Sequence, residues 1–410
     1  MSERTRCAVI GAGPAGMVLG LLLARAGIDV TVLEKHADFL RDFRGDTVHP
    51  STIRLLDDLG LGERFARLPQ TKITEVAFPT DDGGQVVVGD LKRLGKFGHP
   101  HPYIAITPQW DFLNLLADAA AEEPTFTLRM RSEVTELVKE RGRVTGVRYR
   151  TEDGTTHTLL ADLTVACDGR WSLAREQAGL RPKELPVPMD VWWFRLSRAP
   201  GEGVDRLRPR MNGTKFGVLI PRRDYFQIAY INKKGSDADL RRRGIEAFRR
   251  DVAELLPELA DRVDELTTMD QVKHLDVRLN RLKRWHVDGL LCIGDAAHAM
   301  SPVGGVGINL AVQDAVGAAR LLAGPLRRGR VDERTLAAVR HRRLLPTVVV
   351  QGLQQILHRA VVSPTVEGRR SGPPKSFTTL LRRAPWLSTV PALVIGVGPR
   401  PERAPVFARR

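Results

Sequence analysis

The stretch "CAVIGAGPAGMVLG" near the N-terminus constrains the fold more than any other part of the chain. A short apolar run, "RTRCAVI", leads into Gly11, Gly13 and Gly16 in the spacing G-x-G-x-x-G, with Pro14 and Ala15 before the last glycine. The segment "PAGMVLGLLLARAG" reads as a helix stopped by Gly27. A second apolar run, "IDVTVLEK", ends at Glu34, 23 residues after Gly11. Strand, glycine turn, helix and strand in that order predict one right-handed βαβ unit and a parallel sheet. Gly11 permits the tight turn, Gly13 lets the backbone approach a pyrophosphate, and Gly16 lets the helix pack close to the strand. The phosphates then meet free N–H groups at the helix N-terminus. An acid at position 34 can take both hydroxyls of a ribose and repels a 2′-phosphate. The expected nucleotide is therefore FAD or NAD, not NADP. The glycines alone do not choose between a resident flavin and a visiting nicotinamide.

With 410 residues and 42% apolar content, the chain is too long for one ordinary core. Two interlocked domains, or one with a large insertion, are expected. The three cysteines, Cys7, Cys167 and Cys292, lie far apart within or at the end of apolar runs. That pattern opposes a disulfide framework or a zinc site and suits buried thiols in a reducing cytosol. The N-terminus enters a strand without an apolar leader, and "VPALVIGVG" is too short to span a bilayer. A cytoplasmic protein without a transmembrane segment is expected. The net charge of +15 is spread through the sequence without interleaved aromatics. It suits anionic substrates and cofactors better than nucleic acid, which is not expected as a partner.

Further along, "HPSTIRLLDDLGL" predicts a helix capped by Ser51 or Thr52, and "TPQWDFLNLLADAAAE" a helix entered through Pro108. "ITEVAFP" and "GQVVVGDL" read as paired strands. Residues 132 to 169 read as strands turning at "ERGR" and "EDGT" and ending in the buried run "LTVACDG". After residue 180 the texture becomes strand-like and aromatic, followed by a charged helix near Asp237 to Leu256. The final 70 residues read as helical, then loop-rich and proline-rich. The fold class expected is α/β. Residues 1–70, 106–180 and 281–330 form a discontinuous Rossmann-like dinucleotide domain, 71–105 and 181–280 an inserted mixed β-sheet substrate domain, and 331–410 a helical, basic C-terminal region.

Two more motifs carry chemistry. In "CDGRWSLAREQAGL", Asp168 and Gly169 follow an apolar strand, and Ser172 and Arg175 open a helix. In "LLCIGDAAHAMSPVGGVGINLAVQDA", a buried strand ends at Gly294 and Asp295, placing the acid to hydrogen-bond a polyol chain. Pro302, Gly304, Gly305, Gly307, Ile308 and Asn309 then lead into a helix. N–H groups there, with the helix dipole, suit a delocalised anion such as a reduced flavin.

Together these motifs, in this order over about residues 5 to 325, resemble the single-component aromatic hydroxylases among the class A FAD monooxygenases, the para-hydroxybenzoate hydroxylase fold. The resemblance implies that the first motif holds the FAD diphosphate, Asp168 and Gly169 touch FAD and assist NAD(P)H, and Asp295 holds the ribityl chain. Arg44 in "FRGDTVHPST" and Gln109 in "TPQWDFL" resemble further FAD contacts of that family. No second G-x-G-x-x-G exists in the chain, so NADPH or NADH is expected as a transient co-substrate, leaving FAD as the resident cofactor. The implied chemistry is NAD(P)H reduction of FAD, O2 addition to form a flavin hydroperoxide, and transfer of one oxygen to a small aromatic or polyketide-like substrate. Baeyer–Villiger oxidation, epoxidation and reduction of an isoprenoid double bond are alternatives on this scaffold. The halogenase signature W-x-W-x-I-P is absent, as "VWWFRLS" does not match it.

No side chain is assigned as a catalytic residue, and no metal is expected. His99 and His101 read as loop histidines because no third ligand is evident. Trp192, Trp193 and Phe194 read as core packing rather than as a substrate wall. Arg195, Tyr225 and Tyr230 are further pocket candidates. The substrate's identity and the oligomeric state are not readable from the residues.

Overall fold

The structure is a computed structural model that describes residues 3–40, 46–79, 85–199, 201–202, 207–369 and 373–410. β1 (Glu3–Ile10), α1 (Pro14–Arg25) and β2 (Val30–Leu33) form the expected parallel unit, with Cys7 opposite Val30 and Ile10 opposite Leu33. The sheet extends in the order His286–Val287, Leu290–Cys292, Thr156–Ala166, β1, β2, Phe126–Arg129. The last five of these run parallel. All four residues of β2 are buried, as in a sheet covered on both faces. An antiparallel hairpin, Ser132–Glu140 and Arg143–Thr151, pairs with Thr156–Ala166 and turns at the two expected places. α1 packs against Gln109–Ala121 and against the long helix Gly307–Arg327.

A separate five-stranded antiparallel sheet runs Arg208–Asn212, Lys215–Pro221, Tyr225–Lys233, Met189–Ser197, Lys273–Leu275. Alternation along Met189–Ser197 buries Trp192, Phe194 and Leu196 against the helix Asp237–Leu255. Phe194 meets Phe248 edge-on at 5.3 Å, and Tyr230 meets the same ring at 5.4 Å. Trp192 and Phe194 are thus core, as is Tyr230, which was expected as a pocket group. Trp193 takes the opposite face and is only half-buried.

α2 (Pro50–Asp58) starts two or three residues earlier than expected, with His49 rather than Ser51 or Thr52 at its N-cap. Proline suits the first helical position because its missing N–H has no intrahelical role there. The two hydroxyls are buried inside the helix and reach elsewhere. The C-terminal region is more helical than its prolines suggest: Glu333–Leu357 continues through shorter helical segments, and "TVPALVIGV" forms two of them. Among the described residues, no helix is long and apolar enough to cross a membrane.

Candidate cofactor and active site

Three motif loops leave the carboxyl ends of three adjacent parallel strands, β1, Thr156–Ala166 and Leu290–Cys292. The Cys167 N–H bonds the Ile10 carbonyl at 2.8 Å, and the Ile293 N–H bonds the Ala166 carbonyl at 3.1 Å. Loops anchored this way form one crevice, the usual ligand position in an open α/β sheet. Gly11, at φ +93°, has the Cys167 carbonyl 2.7 Å from where a Cβ would stand. A Cβ on Gly16 would lie 2.0 Å from the Gly11 carbonyl, so helix and strand touch there. A Cβ on Gly13 would meet nothing within 4 Å, which leaves room at the N-terminus of α1 for a bulky anion. Pro14 and Ala15 open that helix. Glu34 is buried just beyond β2 and braces the loop: its carboxylate accepts the Ala12 N–H at 3.0 Å and the His36 N–H at 3.1 Å.

Asp168 accepts the Ala174 N–H at 3.2 Å through Oδ2, while its buried Oδ1 has no partner among the described residues. Burial pushes this carboxyl above the usual carboxylate range. Gly169 takes φ +82°, and a Cβ there would meet nothing. Ser172 caps the helix Leu173–Gln177 by accepting the Arg175 N–H at 3.0 Å. Arg175 then donates to the Ala296 carbonyl at 3.1 Å and the Arg170 carbonyl at 2.6 Å, tying the second loop to the third.

In the third loop, Asp295 is about a third exposed and accepts from Arg170 at 3.2 Å. Gly294, at φ +60°, donates its N–H to Asp314 at 3.1 Å. Gly304 and Gly305 both have positive φ, and the Gly305 N–H bonds the Pro302 carbonyl at 2.9 Å. Gly307, Ile308 and Asn309 begin the 21-residue helix, so their N–H groups lack intrahelical partners. The Asn309 Oδ1 accepts from Ser51 at 2.9 Å and Thr52 at 2.6 Å. Gln109 is the first residue of its helix. Arg44 lies outside the described residues.

The residues present fit a flavin dinucleotide. Open space at Gly13 meets a helix N-terminus, a buried oxygen of Asp168 has no partner among the described residues, and a second helix N-terminus follows a glycine turn.

Sequence reasoning missed two buried charge clusters. Asp314 accepts from His298 Nε2 at 2.6 Å, Arg343 Nε at 3.0 Å and the Gly294 N–H. Burial pushes its carboxyl up, but His298 and Arg343 outweigh that and hold it below the usual range. A charge inside the apolar run "GINLAVQDAVGAA" was the available clue, since a buried charge needs partners. The second cluster joins Arg222 to Asp46 and to Gln227, at 2.8 Å for the latter. His101 pairs with Asp57, and no metal-capable cluster occurs among the described residues. Arg195 is exposed and lies 4.7 Å from the Tyr225 ring centre.

A family model described as an FAD binding domain matches residues 4–352. The chain is 35% identical over 366 residues to 6-methylpretetramide 4-monooxygenase of Streptomyces rimosus, covering 88% of this chain and 85% of that protein. It is 31% identical over 321 residues to 12-dehydrotetracycline 5-monooxygenase/anhydrotetracycline 6-monooxygenase of Streptomyces rimosus subsp. rimosus, covering 75% of this chain and 60% of that one. Among solved structures, OxyS anhydrotetracycline hydroxylase from Streptomyces rimosus superposes with a TM-score of 0.75 at 24% identity, over 96% of this chain and 76% of its own. The chain belongs to the FAD-binding-domain family and is a class A FAD-dependent monooxygenase.

Proposed function

We propose that this monooxygenase hydroxylates a polycyclic aromatic substrate of polyketide type, with NADPH or NADH as electron donor. The overall reaction balances as substrate–H plus O2 plus NAD(P)H plus H⁺ giving substrate–OH plus water plus NAD(P)⁺. Bound FAD supplies the hydride acceptor and the site of oxygen activation. The observation that carries the reading is the convergence of three glycine and acid loops on one crevice, in a chain whose relatives include tetracycline-type hydroxylases.

In this reading the α1 N-terminus with Gly13 binds the diphosphate, Glu34 orients the adenosine end, and Asp295 orients the ribityl chain. Asp168 and Gly169 border the cofactor, and the turn from Pro302 to Asn309 receives the ring edge. Residues 1–70, 106–180 and 281–330 act as the cofactor domain, with 71–105 and 181–280 as the substrate domain. The half-buried Trp193 and Val218 lie where two apolar clusters meet and suit a flat apolar guest. The Trp193 indole N–H is buried without a partner among the described residues, a donor suited to a phenolic or carbonyl oxygen. The +15 charge supports attraction of the anionic nicotinamide, and three unpaired thiols support a reducing cytoplasm.

The test is to purify the protein and record its flavin spectrum. NADH or NADPH is then added in air with aromatic polyketides, and products are analysed under 18O2. One 18O atom per product, with substrate-stimulated NAD(P)H oxidation, supports the reading. Oxygen-independent saturation of a double bond, or a protein that cannot take up FAD, overturns it.

A further inference from the structure

The segment just before and inside the start of α2 grips the third motif loop from behind. Thr47 Oγ1 donates to the Gly305 carbonyl at 2.7 Å. His49 Nε2 lies 3.0 Å from the same oxygen, and because a carbonyl only accepts, Nε2 is the donor. His49 is fully buried, which pushes its imidazole down to about 4 and keeps it neutral. A Cβ on Gly305 would lie 2.6 Å from Thr47 Oγ1, so the loop rests directly on the threonine. One turn further on, Ser51 and Thr52 hold the Asn309 side chain. Four donors within six residues therefore bracket the loop and the first turn of its helix.

The bracket fixes a direction. Gly305 and Val306 share a trans, planar peptide, in which the carbonyl and the following N–H point to opposite sides. Consecutive positive φ values at Gly304 and Gly305 leave this peptide able to rotate unless something holds its oxygen. With the oxygen held by Thr47 and His49, the Val306 N–H points away from those two side chains, and at the next residue a Cβ on Gly307 would meet nothing within 4 Å, so space is open there. We propose that Thr47 and His49 are positioning residues: by holding the Gly305 carbonyl they aim the Val306 N–H, with those of Gly307 and Ile308, at the ring edge of the bound flavin. The inference rests on the reading of this crevice as the FAD site. Donors fixed in advance stabilise charge on that edge without reorganising when it appears.

The test uses the full chain loaded with FAD. Thr47→Val and His49→Phe remove the donors while keeping a branched chain and a buried ring. Two readouts follow the charge on the ring edge rather than turnover: the midpoint potential of the bound flavin, and the dissociation constant for sulfite, whose addition leaves negative charge there. The double variant is expected to have a lower potential and about a ten-fold weaker sulfite affinity, with about three-fold for Thr47→Val alone. Folding is checked by circular dichroism, and if His49→Phe does not fold, Thr47→Val carries the test by itself. A folded, flavin-loaded variant with wild-type potential and sulfite affinity overturns the proposal, even if it releases FAD faster, because that pattern marks a merely structural role. A wild-type chain that binds no FAD overturns the parent reading, and this proposal falls with it.

Discussion

Gly13 and Gly16 stand in one loop, yet alanine at each acts on a different free energy. At Gly16 the new Cβ would sit 2.0 Å from a backbone oxygen and 3.3 Å from Val9 Cγ1. Backbone cannot swing aside as a side chain can, so α1 must lift from β1. Overpacking of this kind costs about 1–3 kcal/mol. At Gly13 the backbone is extended, with φ −71° and ψ −177°, and the new Cβ meets nothing within 4 Å. Gly13→Ala is therefore expected to change the stability of the cofactor-free protein by less than about 0.5 kcal/mol. The added methyl instead occupies the space proposed for the diphosphate. Loss of one charge-assisted N–H contact, about 1.5–3 kcal/mol, corresponds to about a 10- to 100-fold weaker FAD affinity. The assay pairs thermal melts of deflavinated protein with FAD titration followed by flavin fluorescence. Gly16→Ala should lose both stability and affinity, and Gly13→Ala affinity alone. A Gly13→Ala protein that binds FAD like wild type would refute the placement of the diphosphate at this loop.

Asp295→Ala is expected to weaken FAD retention through dialysis, and unchanged flavin occupancy would refute the ribityl assignment. Asp314→Ala strands the buried His298 and Arg343 and is expected to cost about 3–5 kcal/mol in urea unfolding; a loss below about 1 kcal/mol would show that the cluster relaxes freely. His49 and His358 are pushed down to about 4 by burial, so the unfolded chain binds their protons more readily. Stability is fully present above about pH 6.5 and falls as pH drops toward 4, by up to about 3 kcal/mol for His49; His49→Phe should flatten that slope in pH-dependent melts. Cys7 is pushed up to about 12 by burial and Cys292 higher still, so neither should react with a disulfide reagent at pH 8 until the protein is denatured, when all three thiols of the chain should titrate.

The parallel unit from Glu3 to Leu33 and the hairpins at "ERGR" and "EDGT" were legible because their determinants are local: a run of apolar residues, a glycine, a turn. The three motif loops were legible for the same reason. What holds those loops was not. Ser51 and Thr52 have the composition of a helix cap, and nothing nearby in sequence says that both reach Asn309. Arg222 and Asp46 likewise pair across two sheets that the sequence presents as unrelated segments. Tyr230 has the chemistry of a pocket residue, and only the alternation of its strand against Phe248 assigns it to the core. Long-range pairing of polar groups leaves no periodic trace.

The three strands whose ends form the crevice are neighbours in space but come from the beginning, middle and late part of the chain. A ribosome delivers them in that order. When β1 and its glycine turn emerge, the strand that will flank them has not been made, and the Gly294–Asn309 wall comes later still. An N-terminal fragment therefore has the fingerprint without the crevice. On the cofactor placement proposed above, loading has to wait until translation has passed the helix that begins at Gly307, and until then the apolar strands depend on whatever shields them in the cell.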